Sequence, residues 1–177
     1  MTMYEVRIHS RGGQGGVTAA RLLAHAAFLD GKHASACPFY GAERRGAPVV
    51  SFVRIDDKPI RVYSQIRHPD LVVVLDTTIM DAVDVLQGLK PDGVVFLNSS
   101  EKSDAGEHTT YTVDLTAIAL SLGLVIAGSP ILNTPVLGAL ARMGVVSFAS
   151  VKAAIEETFS DERNVRAAEA AYQELVL

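Results

Sequence analysis

The chain has 177 residues, 49% of them hydrophobic and 20% charged, which excludes a disordered chain and allows one buried core in a single domain over residues 1–177. Its net charge of −4 hides an asymmetry: residues 1–69 carry ten basic and five acidic side chains, and residues 70–177 carry six and fifteen. One cysteine, Cys37, excludes an internal disulfide and any iron–sulfur cluster or structural zinc held by this chain alone; without a signal-peptide pattern, it points to a reducing, cytoplasmic location.

Tyr4 to His9 reads as a first strand, and Ser10 to Gly16 as a glycine-rich loop. Val17 to Asp30 has helical apolar spacing, stopped by Gly31. A short strand follows over His33 to Cys37, then a polar loop from Phe39 to Pro48. Val49 to Ile55 and Pro59 to Tyr63, joined by the turn Asp56-Asp57-Lys58, read as a β-hairpin. The aliphatic runs Leu71–Leu75 and Val94–Leu97 mark strands buried on both faces, with a helix between them over Thr78 to Leu89. Leu115 to Leu122 reads as a helix and Leu124 to Ala127 as a short strand. Thr134 is an N-cap before Pro135, opening a helix to Met143; further helices start at Ser147 and at Ser160-Asp161. The uncharged stretch from Leu115 to Ala141 is long enough to span a bilayer, but Gly123, Gly128, Pro130, Pro135 and Gly138 break it, so no membrane role is expected. The alternation implies an α/β fold: a doubly wound, mostly parallel sheet with helices on both faces and a β-hairpin insertion.

The sharpest motif is Arg11-Gly12-Gly13-Gln14-Gly15-Gly16, directly between the first strand and the first helix. Glycines let backbone N–H groups approach a ligand, and the helix N-terminus behind them carries partial positive charge, so the loop reads as an anion site. It departs from the known phosphate fingerprints. Thr18 stands where a dinucleotide motif wants its third small residue, and no Lys-Ser or Lys-Thr follows the glycines. The second constellation is Tyr40-Gly41-Ala42-Glu43-Arg44-Arg45-Gly46-Ala47-Pro48. Its adjacent guanidiniums suit phosphate, carboxylate or a protein interface, but the loop is too short for a nucleic-acid patch. Asp76 lies at a strand end, where it can meet a ligand or cap the following helix; Ser64-Gln65 and Asn133-Thr134 can line the same cleft. Cys37 reads as a buried, inert thiol, and the five histidines show no ligand spacing, so no metal site is expected. On residues alone, a free-standing nucleotide-binding enzyme and a non-enzymatic anion-binding regulatory domain both remain open.

These motifs, together with Leu71-Val72-Val73-Val74-Leu75-Asp76 and Asn133-Thr134-Pro135-Val136-Leu137-Gly138-Ala139-Leu140-Ala141-Arg142, closely resemble the gamma subunit of 2-oxoacid:ferredoxin oxidoreductases. The likeness runs from Tyr4 to about Ile155, and Glu43-Arg44-Arg45-Gly46-Ala47-Pro48 looks most like the pyruvate and branched-chain members. The resemblance implies a complex that converts a 2-oxoacid and coenzyme A to acyl-CoA and CO₂, passing electrons to ferredoxin or flavodoxin. It also implies alpha, beta and ferredoxin-like delta subunits that carry thiamine diphosphate, magnesium and iron–sulfur clusters. For this chain it implies no catalytic residue but an anion or coenzyme A cleft. Its expected residues are Arg11, Gly12, Gly13, Gln14, Gly15, Gly16, Tyr40, Gly41, Glu43, Arg44, Arg45, Asn133 and Thr134.

Overall fold

The computed structural model describes residues 3–39, 46–103 and 105–177. Strands β1 (Tyr4–Arg11), β2 (His33–Phe39), β3 (Pro48–Asp56), β4 (Leu71–Val74), β5 (Val94–Asn98) and β6 (Thr109–Val113) form one sheet, ordered β2-β3-β1-β4-β5-β6. β1 pairs in parallel with β4, β4 with β5 and β5 with β6, whereas β3 runs antiparallel to both β1 and β2. Among the described residues β3 is therefore the one reversed strand of this sheet, and the mostly parallel α/β architecture holds.

Helix α1 (Gly16–Leu29) carries the chain from β1 to the far edge at β2; α2 (Leu115–Ser121), α3 (Pro135–Arg142), α4 (Phe148–Thr158) and α5 (Arg163–Glu174) follow the last strand of the sheet. All five contribute to one apolar cluster with Val6, Ile8, Leu71, Val73 and Phe96. Strand residues one position along face the other way: Val72, Val74, Val95 and Leu97 pack with Ile79 and Val85 in a smaller cluster. Both faces are thus covered, unequally, with α-helices on the first and a 3-10 helix (Thr77–Asp81) on the second.

The expected hairpin over 49–63 is corrected: the antiparallel pair is β2 with β3, and residues 59–65 lie outside any strand. Both edges of β3 are already occupied, by β2 and β1, so no edge is left for a strand over 59–63. The helix expected over 78–89 is also shorter. Its later carbonyls are taken from outside, since the Arg7 Nη2 group donates to Val85 O at 2.8 Å and to Gln87 O at 2.7 Å. Strand β2 continues past Cys37 through Pro38, which an edge strand tolerates. The short strand expected at 124–127 is β7 (Val125–Ile126), paired with β8 (Ser129–Pro130). β6 was not anticipated, although its Thr-Thr-Tyr-Thr-Val run is rich in β-branched residues. No helix of the described residues is long and apolar enough to cross a membrane.

Candidate functional site

The glycine loop leaves β1 at the carboxyl end of the parallel strands. Gly13 and Gly15 have φ of 94° and 91°, the left-handed region that favours glycine. Gly16 is required by contact: a Cβ there would lie 2.2 Å from Ser10 Oγ. The loop is stitched on two sides. Gly12 N donates to Ala47 O at 2.9 Å and Gly46 N donates to Gly12 O at 3.1 Å, while Leu132 N donates to Gln14 O at 3.0 Å. The segments before β3 and before α3 are thereby brought to the start of α1.

A cleft of about 400 Å³ opens there, lined by the glycines with Ile126, Ile131, Asn133 and Phe159. Gly15 stands before α1 and has no side chain to cap it, and the first turn holds no acid. The first-turn amides therefore have no intrahelical partner and keep their partial positive charge. Asn133 is 7% exposed, and its Oδ1 atom is buried with no hydrogen-bond partner among the described residues. It packs so close that a Cβ on Gly15 would sit 2.9 Å from Asn133 Cβ. The cleft thus offers backbone donors for an anion and a buried acceptor for an N–H or O–H group.

The structure separates the expected residues by role. Arg11, Gly12, Gly13, Gly15, Gly16 and Asn133 line the cleft together. The Arg11 guanidinium is already engaged: Nη2 donates to Thr78 Oγ1 at 2.7 Å, Nη1 to Gly46 O at 3.0 Å, and Nε lies 3.4 Å from Asp76 Oδ2. Gln14 spans the loop from within, accepting from Arg11 N at 2.7 Å and donating to Asp76 Oδ2 at 3.0 Å. Asp76 caps the 3-10 helix by accepting from Thr78 N at 3.0 Å. Partial burial works to raise its carboxyl pKa, but the Thr78 and Gln14 hydrogen bonds and the Arg11 charge outweigh this and hold it below the usual value.

Thr134 is fully buried and does not cap α3; its hydroxyl donates to Asn164 Oδ1 at 3.3 Å across to α5. Pro135 at the first helical position leaves one orphan amide fewer to cap. Gln65 lines a different cavity on the opposite face. Cys37 is half-buried rather than fully enclosed, its Sγ 3.9 Å from Pro38 O. Tyr40, Gly41, Glu43, Arg44 and Arg45 lie outside the described residues. Ile126 and Phe159 were not anticipated as cleft walls; the only local signal was the Ala127-Gly128 turn, whose Ala127 has a φ of 50° and holds Ile126 at the hairpin tip.

The family model for pyruvate ferredoxin/flavodoxin oxidoreductase matches residues 5–174. The common gamma subunit of pyruvate/ketoisovalerate oxidoreductases from Pyrococcus furiosus is 52% identical over 182 residues, covering 97% of this chain and 96% of that one. The crystal structure of pyruvate oxidoreductase subunit PORC from Thermotoga maritima aligns with a TM-score of 0.84 at 34% identity, covering 99% of this chain and 98% of that one. The 2-oxoglutarate:ferredoxin oxidoreductase from Magnetococcus marinus, solved with 2-oxoglutarate, coenzyme A and succinyl-CoA bound, shares the fold. Its TM-score is 0.76 at 16% identity, over 99% of this chain and 32% of that longer one. The loops that build the cleft and the near full-length matches agree: the chain belongs to the pyruvate ferredoxin/flavodoxin oxidoreductase family, as the gamma subunit of a 2-oxoacid:ferredoxin oxidoreductase.

Proposed function

We propose that the glycine-loop cleft binds coenzyme A and presents it to the partner subunits of the oxidoreductase. The observation that carries this reading is the pairing, in one cleft, of uncapped first-turn amides at α1 with the unpartnered Asn133 acceptor. Coenzyme A offers both complements: phosphates for the amides, and amide or adenine N–H groups for Asn133 Oδ1. Ile126, Ile131 and Phe159 supply apolar wall for its uncharged parts. The Magnetococcus marinus enzyme, solved with coenzyme A and succinyl-CoA bound, supports the reading at the level of the fold.

In this reading Gly12, Gly13, Gly15 and Gly16 contribute backbone, and Asn133 a side-chain contact. Arg11 and Gln14 position the loop through Asp76 and Thr78, and Thr134 holds α3 against α5. For Tyr40, Gly41, Glu43, Arg44 and Arg45 the proposed role is coenzyme A binding, with the Arg44 and Arg45 guanidiniums pairing with phosphate. Phosphates bound here give binding energy remote from the thiol, which orients it for acyl transfer. Thiamine diphosphate, magnesium and iron–sulfur clusters belong to the alpha, beta and ferredoxin-like delta subunits and supply decarboxylation and electron transfer to ferredoxin or flavodoxin. One thiol in this chain suits that division and a cytoplasmic setting.

In the reconstituted complex, Arg44→Ala and Arg45→Ala should each raise the KM for coenzyme A about tenfold with kcat little changed, the loss of one charge-assisted contact. Unchanged KM values in variants that still assemble, checked by size-exclusion chromatography, would remove the phosphate role. Loss of assembly would assign the loop to an interface instead.

A further inference from the structure

A second cavity, of about 520 Å³, lies on the opposite face of the sheet, beneath β1 and β3, where no α-helix of the described residues packs. Its floor holds two polar side chains of β1, Arg7 and His9, beside Val50 and Phe52 of β3. Arg7 is 8% exposed and His9 3%. Burying a guanidinium is costly unless its donors are used. Arg7 Nη2 is satisfied by the carbonyls of Val85 and Gln87, and Nε donates to His9 Nε2 at 3.2 Å.

That last bond fixes the imidazole. A guanidinium cannot accept, so His9 Nε2 is the acceptor and the proton of the neutral ring sits on Nδ1. Burial first, and then the Arg7 charge, push the His9 pKa down to about 4, so the ring is neutral at physiological pH. The side-chain hydrogen bonds of this pair use Arg7 Nε and Nη2 and His9 Nε2, which leaves Arg7 Nη1 and His9 Nδ1 as the donors free to meet a ligand among the described residues. No ion pair ties Arg7 to a carboxylate among those residues, although the Asp84 charge acts on it. At the rim, Arg67 and Asp84 offset each other, which leaves the described lining one net positive charge. Phe39, Phe52 and Ile66 give the space an apolar wall.

We propose that this cavity binds a small monocarboxylate with an apolar body, its carboxylate held by Arg7 Nη1 and His9 Nδ1 and its body against Phe39, Phe52 and Ile66. One net positive charge suits a monoanion better than a phosphate dianion. The site is separate from the glycine-loop cleft, on the other face of the sheet.

The test is NMR of the ¹⁵N-labelled full chain, following the imidazole and guanidinium resonances during titration with acetate, isovalerate and inorganic phosphate. Isovalerate should shift the His9 ring signals saturably and bind at least about tenfold tighter than acetate, because its extra carbons are buried; phosphate should leave them unmoved. Arg7→Lys should abolish the response, with the fold checked by circular dichroism. Because Arg7 also holds the carbonyls of residues 85 and 87, the exposed rim variant Arg67→Ala provides the second arm and should weaken both acids several-fold. No saturable shift with either acid would overturn the proposal, and so would phosphate binding as well as isovalerate. Equilibrium dialysis of isovalerate with the assembled complex distinguishes the source of the carboxylate. Binding that persists and depends on Arg7 supports a free small ligand, whereas binding by the chain that disappears on assembly overturns it in favour of a carboxylate supplied by a partner subunit.

Discussion

Gly15 meets two demands at once: its φ of 91° is strained for any side chain, and a Cβ would lie 2.9 Å from that of Asn133. Gly15→Ala should therefore cost about 2 kcal/mol and lower Tm by roughly 5 °C. In the reconstituted complex it should also raise the KM for coenzyme A. A variant with unchanged Tm and KM would show that the loop tolerates the methyl. His9 gives a pH test. Its folded pKa, near 4, lies below the unfolded value of about 6.5, so between these the unfolded chain binds the extra proton. Stability from this residue is fully present above about pH 6.5 and is lost as pH falls towards 4, by about 3 kcal/mol at most. Urea unfolding near pH 7.5 and near pH 5 should show a loss of about 2 kcal/mol that is absent in His9→Gln. Identical pH dependence in both proteins would dismiss the buried neutral imidazole. At this scale glycine needs are legible in sequence because they are local: a cluster of glycines between a strand and a helix signals a tight turn whatever surrounds it. Asn133 is legible as a candidate but not in its role, which comes from burial beside Gly15. For Arg11, Gln14 and Thr134 the sequence shows hydrogen-bonding capacity without direction, and the fold spends it on Asp76, Thr78 and Asn164.

The elements show the same division. Leu71–Leu75 and Val94–Leu97 are readable as strands because a parallel sheet buried on both faces demands continuous aliphatic runs. Residues 59–63 carry strand-like chemistry, yet pairing depends on a free edge, which β2 and β1 deny to β3. Residues 82–89 have partly helical spacing, but the buried guanidinium of Arg7, distant in sequence, takes two of their carbonyls. Both departures come from long-range partners that periodicity cannot register. The helical layer makes a sharper demand. α3 and α5 approach so closely that a Cβ on Gly138 would lie 1.8 Å from Ala168 O. Backbone cannot yield as a flexible side chain does, so Gly138→Ala must push the two helices apart. The expected cost is about 3 kcal/mol, seen as a lower urea midpoint at unchanged m-value. Because Asn133 and Thr134 lead into α3, the same variant should disturb the cleft and raise the KM for coenzyme A. Wild-type stability would mean that α5 shifts without strain.

Over the whole molecule, the charge asymmetry falls on opposite sides of the sheet. The basic portion, residues 1–69, supplies β1, β2, β3, α1 and the glycine loop, and the acidic portion supplies β4–β6 and the remaining helices. The cleft is built from both, since Ile126, Asn133 and Phe159 come from the acidic portion. Two described carboxylates near it are paired: Asp76 lies 3.4 Å from Arg11, and Asp161 lies 2.6 Å from Arg163. A polyphosphate would therefore meet amide dipoles rather than the field of a chain carrying −4, and the role proposed for Arg44 and Arg45 adds two positive charges to them. This gives salt dependence a definite sign. If the overall charge governed binding, salt would screen repulsion and lower the KM for coenzyme A. If the local arrangement governs, raising KCl from about 0.1 M to about 1 M shortens the Debye length from about 10 Å to about 3 Å and should raise that KM several-fold. Partner subunits add their own charges, so the measurement is made in the reconstituted complex against the Arg44→Ala, Arg45→Ala double variant. The salt dependence should flatten when the two guanidiniums are gone. A KM that falls with salt would return control to the overall charge, and a slope unchanged by the double variant would end the phosphate role proposed for the arginine pair.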